Sequence, residues 1–152
     1  MARPSLAMAR PDVFLDTSAL IAGLLSGSGG ARALFALGEA QAVQLWSSQD
    51  VLEELDTVLR QKIPQHLPVV SAWLARIRLE LVEPPSLRSV RKLHRLVGHS
   101  KVAVVIAAAM DARMDYLVTL DRKHTLNKPT LRDALAFPMG IPGDCLAWFR
   151  DD

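Results

Sequence analysis

The chain has 152 residues, half of them apolar and 22% charged, with a formal net charge of +2. That supports one globular domain with a substantial core and excludes a disordered chain. The single cysteine, Cys145, excludes an internal disulfide framework and a cysteine-rich zinc site, and no run is apolar for long enough to span a bilayer. Residues 1–11 carry no apolar run suited to a signal peptide and read as a loose tail, with one domain over 12–152. A soluble cytoplasmic protein is the expectation. The mild positive charge permits a polyanionic partner without demanding one.

Val13, Phe14 and Leu15 form a short apolar run that predicts a buried strand. Asp16 closes it, and Ala19, Leu20, Ile21, Leu24 and Leu25 then take helical spacing. This is a strand–turn–helix with a carboxylate at the carboxyl end of the strand, the edge where open parallel sheets bind ligands. Ser26 to Gly30 is a small-residue loop, 31–40 a short helix and 42–47 a second strand. Ser47 or Ser48 then caps a helix over 49–62, with Val51, Leu52, Leu55, Val58 and Leu59 as its apolar stripe. Pro64 ends it. Pro68 suits the first turn of a helix over 69–78 anchored by Trp73, and a third strand over 79–83 stops at Pro84-Pro85.

Residues 86–99 are basic and weakly patterned. An apolar helix runs over 101–113 and a fourth strand over 115–119. The polar segment 120–130 reads as a loop and 131–136 as a helical turn or two. A last short strand falls within 137–141, and a helix over 142–150 closes the chain. Strands alternating with helices predict an α/β fold with a parallel sheet covered on both faces.

Asp16 and Asp121 follow strands of the same type, VFLD and YLVTLD, so adjacent central strands would deliver both carboxylates to one sheet edge. Close carboxylates repel unless a cation lies between them, and oxygen-rich clusters suit Mg²⁺ or Mn²⁺. Each aspartate could instead simply cap the next turn. A third acid would come from the helix over 49–62. On a helical wheel Glu53 lies opposite Leu55, in solvent, whereas Glu54 lies at the stripe border, from which it can reach a cation or merely meet water. In the 101–113 helix Val102 points inward, while Lys101 and Asp111 point away. Thr17, Ser18 and Thr119 are hydroxyl donors beside the predicted site. Arg122 and Lys123, with Lys128 and Arg132, lie near Asp121, and Arg88, Arg91, Lys92 and Arg95 share one segment. Such clusters usually face water, but beside an acidic pocket they would also hold a phosphate backbone. The histidines show no metal-ligand spacing among themselves or with Cys145; His124, near Asp121, is the one of interest. Phosphate-loop, dinucleotide and serine-hydrolase motifs are absent from the sequence.

VFLDTSALIAGLLS, SSQDVLEELDTVL, KVAVVIAAAMDARMDYLVTLDRKH and IPGDCLAWFR, in that order, resemble the PIN domain, in its branch of VapC-like toxin components. The resemblance covers about residues 12–150. It implies a three-layer α/β/α sandwich around a parallel sheet and a divalent-metal-dependent ribonuclease whose acids map onto Asp16, Glu54 and Asp121. It also implies RNA as substrate, an antitoxin protein as partner and a homodimer. One departure stands out. The family pattern resembles KDAPVIAAA at the helix before DYLVT, and here Val102 replaces the aspartate and Val104 the proline. A catalytically weakened domain that binds RNA or an antitoxin is therefore the competing expectation.

Overall fold

The computed structural model describes residues 10–151. Most of the predicted tail lies outside them. Of its last two residues, Pro11 is buried and its carbonyl accepts a hydrogen bond from Gln44 N at 2.9 Å. Five strands alternate with helices: β1 Asp12–Leu15, β2 Gln44–Ser47, β3 Glu80–Leu81, β4 Tyr116–Val118 and β5 Met139–Gly140. Helices α1 Thr17–Leu25 and α2 Gly30–Glu39 follow β1, and α3 Gln49–Lys62 and α4 Leu67–Arg76 follow β2. Helices α5 Leu87–Val97 and α6 Ser100–Asp111 connect β3 to β4, α7 Pro129–Ala134 leads to β5, and α8 Pro142–Arg150 ends the fold.

All pairings are parallel, and the strand order is β3-β2-β1-β4-β5. Successive strand side chains point to opposite faces. Val13, Phe14 and Leu15 are nonetheless all buried, so helices cover both faces of the sheet and the sandwich has three layers. The two edge strands have only two residues each. Among the described residues no single helix is long and apolar enough to cross a membrane.

Three segments depart from the sequence expectation. Residues 86–99 fold as α5, capped by Ser86, whose Oγ accepts from Ser89 N at 3.2 Å, and ended by Gly98 in the left-handed region at φ +73°. Its buried stripe is narrow, Leu93 and Val97 with Val90 beside them, and the intervening Arg88, Arg91, Lys92 and Arg95 are exposed and hide the period. The presumed loop after Asp121 contains a π-helical turn, Arg122–Leu126, and α7 starts at Pro129, two residues earlier than predicted. Asp111 is exposed as expected but not merely solvated. Its carboxylate accepts from Ser86 N at 2.7 Å and Ser89 Oγ at 2.5 Å, fastening the start of α5 to the end of α6.

Candidate active site

Chain direction places β2 and β3 on one side of β1 and β4 and β5 on the other, so the sheet order reverses between β1 and β4. A crevice opens outside the carboxyl ends of parallel strands at such a reversal. Asp16 leaves β1 and Asp121 follows β4 at that point. Asp16 N still donates to Val118 O at 3.2 Å, which holds the first turn against the neighbouring strand end.

Both acids cap the turns that follow them. Asp16 is extended (ψ −179°), and its Oδ1 accepts from Ala19 N at 3.0 Å and Ser18 Oγ at 2.7 Å. Its Oδ2 accepts a short hydrogen bond from Thr119 Oγ1. The same Thr119 oxygen accepts from Asp121 N at 3.0 Å, and Ser18 Oγ accepts from Leu120 N at 3.0 Å. Two hydroxyls thus stitch the loop after β1 to the loop after β4. Asp121 receives His124 N at 3.2 Å on Oδ1 and Thr125 Oγ1 at 3.2 Å on Oδ2, with His124 Nδ1 3.6 Å from Oδ2. The capping alternative is therefore true of both aspartates, and it does not exclude a further role. Burial raises the Asp16 pKa. The bonds from Thr119, Ser18 and Ala19 pull it back, and the Asp121 charge adds to the rise.

Opposite these loops, α3 presents Glu54 and α6 presents its first turns. The cavity between them, about 220 Å³ and open to solvent on one side, is lined by Asp16, Glu54 and Asp121 together with Thr17, Ser18 and Thr119. Glu54 is half-buried and Glu53 exposed, as the helical wheel predicts, and among the described residues Glu54 makes no hydrogen bond or ion pair. Val102 lines the cavity, as its inward position implies. Arg122 and Lys123 do not line it; both are exposed on the turn after Asp121.

Three lining residues escaped the sequence reading. His99 caps α6 by accepting from Val102 N at 3.4 Å on Nδ1, and its ring lies 4.6 Å from that of His124. Thr125 reaches Asp121 from within the π-helical turn. Lys101 is exposed, as the wheel predicts, yet it also borders the cavity. Helical side chains lean toward the helix N-terminus, and the cavity lies beside the first turn of α6, so a long side chain there reaches around the end that a wheel projects as outward. A polar signal for His99 was present, since it directly precedes the apolar helix at a capping position.

The donors on the cavity wall are hard carboxylate oxygens, suited to Mg²⁺ or Mn²⁺. Asp16 already accepts three hydrogen bonds, which leaves it about one acceptor position. Among the described residues no three His, Cys, Asp or Glu side chains are grouped tightly enough to hold an ion unaided. The arrangement fits an ion held by one or two carboxylates with water completing the shell, a habit of Mg²⁺.

Comparison with known proteins supplies the context. The profile described as PIN domain matches residues 12–123. Among solved structures, VapBC2 from Rickettsia felis, bound to a DNA fragment from its promoter, matches at a TM-score of 0.65 and 14% identity, covering 86% of this chain and 98% of the other. PAE2754 from Pyrobaculum aerophilum matches at 0.62 and 18%, covering 95% and 100%. VapC20 from Mycobacterium tuberculosis, a sarcin-ricin-loop-cleaving toxin, matches at 0.53 and 19%, covering 76% and 94%. No curated protein matches by sequence.

Proposed function

This chain belongs to the PIN domain family, and from that premise we propose that it is a divalent-metal-dependent ribonuclease of the VapC type, the toxin of a toxin–antitoxin pair. The observation that carries the reading is the pairing of Asp16 and Asp121 through Thr119 at the reversal point of the sheet, with Glu54 across the same cavity. Similarity in fold to a toxin–antitoxin complex and to an RNA-cleaving toxin supports the choice of substrate and partner. The proposed partners are RNA, an antitoxin protein and a second copy of the chain.

In this reading Asp16 and Asp121 would hold Mg²⁺ or Mn²⁺, and Glu54 would bind it through water or complete the cluster. A bound divalent ion lowers the pKa of a coordinated water and offsets phosphoryl charge. The chain's own part is to preorganise. Ser18 and Thr119 fix the Asp16 carboxylate, and Thr125 and the His124 amide fix that of Asp121. Thr17, buried, lines the same cavity. Arg122 and Lys123, exposed beside Asp121, attract the RNA backbone from outside the cavity.

Asp16→Asn tests the assignment. Its side-chain oxygen can keep the capping bonds, so melting should stay within the shift expected from about 1 kcal/mol, while RNA cleavage with Mn²⁺ falls by about 10³-fold or more. Full turnover in that variant ends the proposal. A second reading, a weakened domain that binds RNA or an antitoxin without cutting, is favoured by one observation, the valine at position 102 on the cavity wall. Val102→Asp separates the two: cleavage that appears or rises strongly with Mn²⁺ marks the pocket as a weakened catalytic site, and equal inertness of both forms favours the binding module.

A further inference from the structure

Position 102 opens the cavity-facing side of α6 and offers an isopropyl group where a carboxylate would add negative charge. The preceding residue brings the opposite sign. Lys101 is the one lysine or arginine among the cavity-lining residues described, and it also lines the adjoining cleft of about 350 Å³ between α3 and α6. It therefore sits at the seam between the acid-bearing cavity and the groove that leads out of it. It is exposed, and among the described residues it forms no ion pair, although Glu54 lines both of the same spaces. Its ammonium has its donors free and a flexible stem to deliver them.

We propose that Lys101 is a catalytic residue of this pocket, its ammonium meeting a non-bridging oxygen of the scissile RNA phosphate, so that the pocket works with one divalent cation rather than two. The inference rests on the ribonuclease reading for its substrate. Lys101 transfers no proton in this step. The water oxygen forms its bond to phosphorus, the bond from phosphorus to the leaving ribose oxygen breaks, and the proton shed by the water is balanced by the one the leaving oxygen takes from solvent. What Lys101 contributes is fixed positive charge where negative charge builds on the phosphoryl oxygens.

Such a residue has two effects of opposite sign. A fixed positive charge beside the carboxylates repels a divalent cation and attracts a phosphate. A residue that only shaped the helix end would, when replaced, weaken both functions or neither.

The test uses the full chain as wild type, Lys101→Gln and Lys101→Arg. Mn²⁺ alone is titrated by electron paramagnetic resonance, and cleavage of an oligoribonucleotide is followed at saturating Mn²⁺. Lys101→Gln should bind Mn²⁺ about tenfold more tightly, with one ion per chain, and cleave about 10²-fold more slowly. Lys101→Arg keeps the charge and should keep the wild-type Mn²⁺ affinity. Unchanged or weaker Mn²⁺ binding in Lys101→Gln, undiminished cleavage, or two ions per wild-type chain would each overturn the proposal. If wild type cuts no RNA, the ribonuclease reading fails, and the catalytic role of Lys101 with it. The titration still reads the charge by itself, so tighter binding in a silent protein locates the failure in the nuclease reading and not in the placement of the ammonium.

Discussion

The two ends of β1 each pair an aspartate with one from the β4 side, and they do different things. At the amino end, Asp12 Oδ1 accepts from Trp46 Nε1 at 2.8 Å and Asp12 N donates to Asp115 Oδ2 at 2.7 Å, while Asp115 N returns a bond to Asp12 O at 2.8 Å. Each carboxylate there is engaged with backbone or indole N–H groups, locking strand starts together. At the carboxyl end, Asp16 and Asp121 also cap turns, but their links run through hydroxyls and their surroundings open into a cavity walled by Glu54 and the start of α6. A pair of acids on neighbouring strands is therefore not a site in itself. At the carboxyl end α3 and α6 leave a concavity above the pair, walled by a third acid; at the amino end Asp12 also borders a cleft, of about 500 Å³, but there the Trp46 indole and the Asp12 amide take up the carboxylates and tie them to the sheet.

Thr119 gives the largest handle on that contrast after the acids and Lys101. Thr119→Val keeps the shape, removes the donor to Asp16 and leaves Asp121 N without its partner in a site where Thr119 is 1% exposed. A loss of about 1–3 kcal/mol of stability and about 10- to 100-fold of Mn²⁺ affinity is expected, read by denaturant unfolding and metal titration. Unchanged metal affinity would make the carboxyl end as purely structural as the amino end. The joint replacement Arg122→Ala with Lys123→Ala should weaken RNA binding, lowering the salt slope of the affinity by about 2 and leaving Mn²⁺ binding unchanged. A slope unaltered between low and high salt removes both from the substrate path.

The amino end supplies the smallest effect. Burial raises the Asp115 pKa above its ordinary 3.8, the bond from Asp12 N opposes the rise, and the Asp12 charge adds to it. An acid whose folded pKa is raised favours folding below its ordinary value, and that contribution is lost as pH rises through the folded pKa. Asp115→Asn can still accept from Asp12 N. It should therefore gain a few tenths of a kcal/mol over wild type at pH 7, since solvent screens this half-exposed group, and gain nothing at pH 3. Asp111 has the opposite sign. Burial alone would raise its pKa, but the bonds from Ser86 and Ser89 outweigh that and hold it below its ordinary value. Its contribution is present above the ordinary carboxylate range and is lost as pH falls through the folded pKa. Melting curves of Asp115→Asn and Asp111→Asn against pH should accordingly tilt in opposite directions.

The sheet and the acids were legible because they depend on short-range signals. VFLD and YLVT are apolar runs that end in a carboxylate, and Glu54 stands at a readable border of an amphipathic helix. Lys101 was not legible, because a wheel represents an endless helix and Lys101 belongs to a helix end. The α5 helix was obscured by cations spaced between Val90, Leu93 and Val97, although Ser86 and Gly98 mark its two ends. The bonds from Asp111 to Ser86 and Ser89 join residues 22 or more positions apart, a relation set by helix packing and invisible to any local window.

The two-residue border strands bear on self-association. A long border strand offers a row of free amide and carbonyl groups on which another copy's sheet can extend. Glu80–Leu81 and Met139–Gly140 expose too few such groups for that. Joining two copies by continuing one sheet into the next is therefore disfavoured, which leaves each sheet finite and makes fibrous stacking of the folded protein unfavourable.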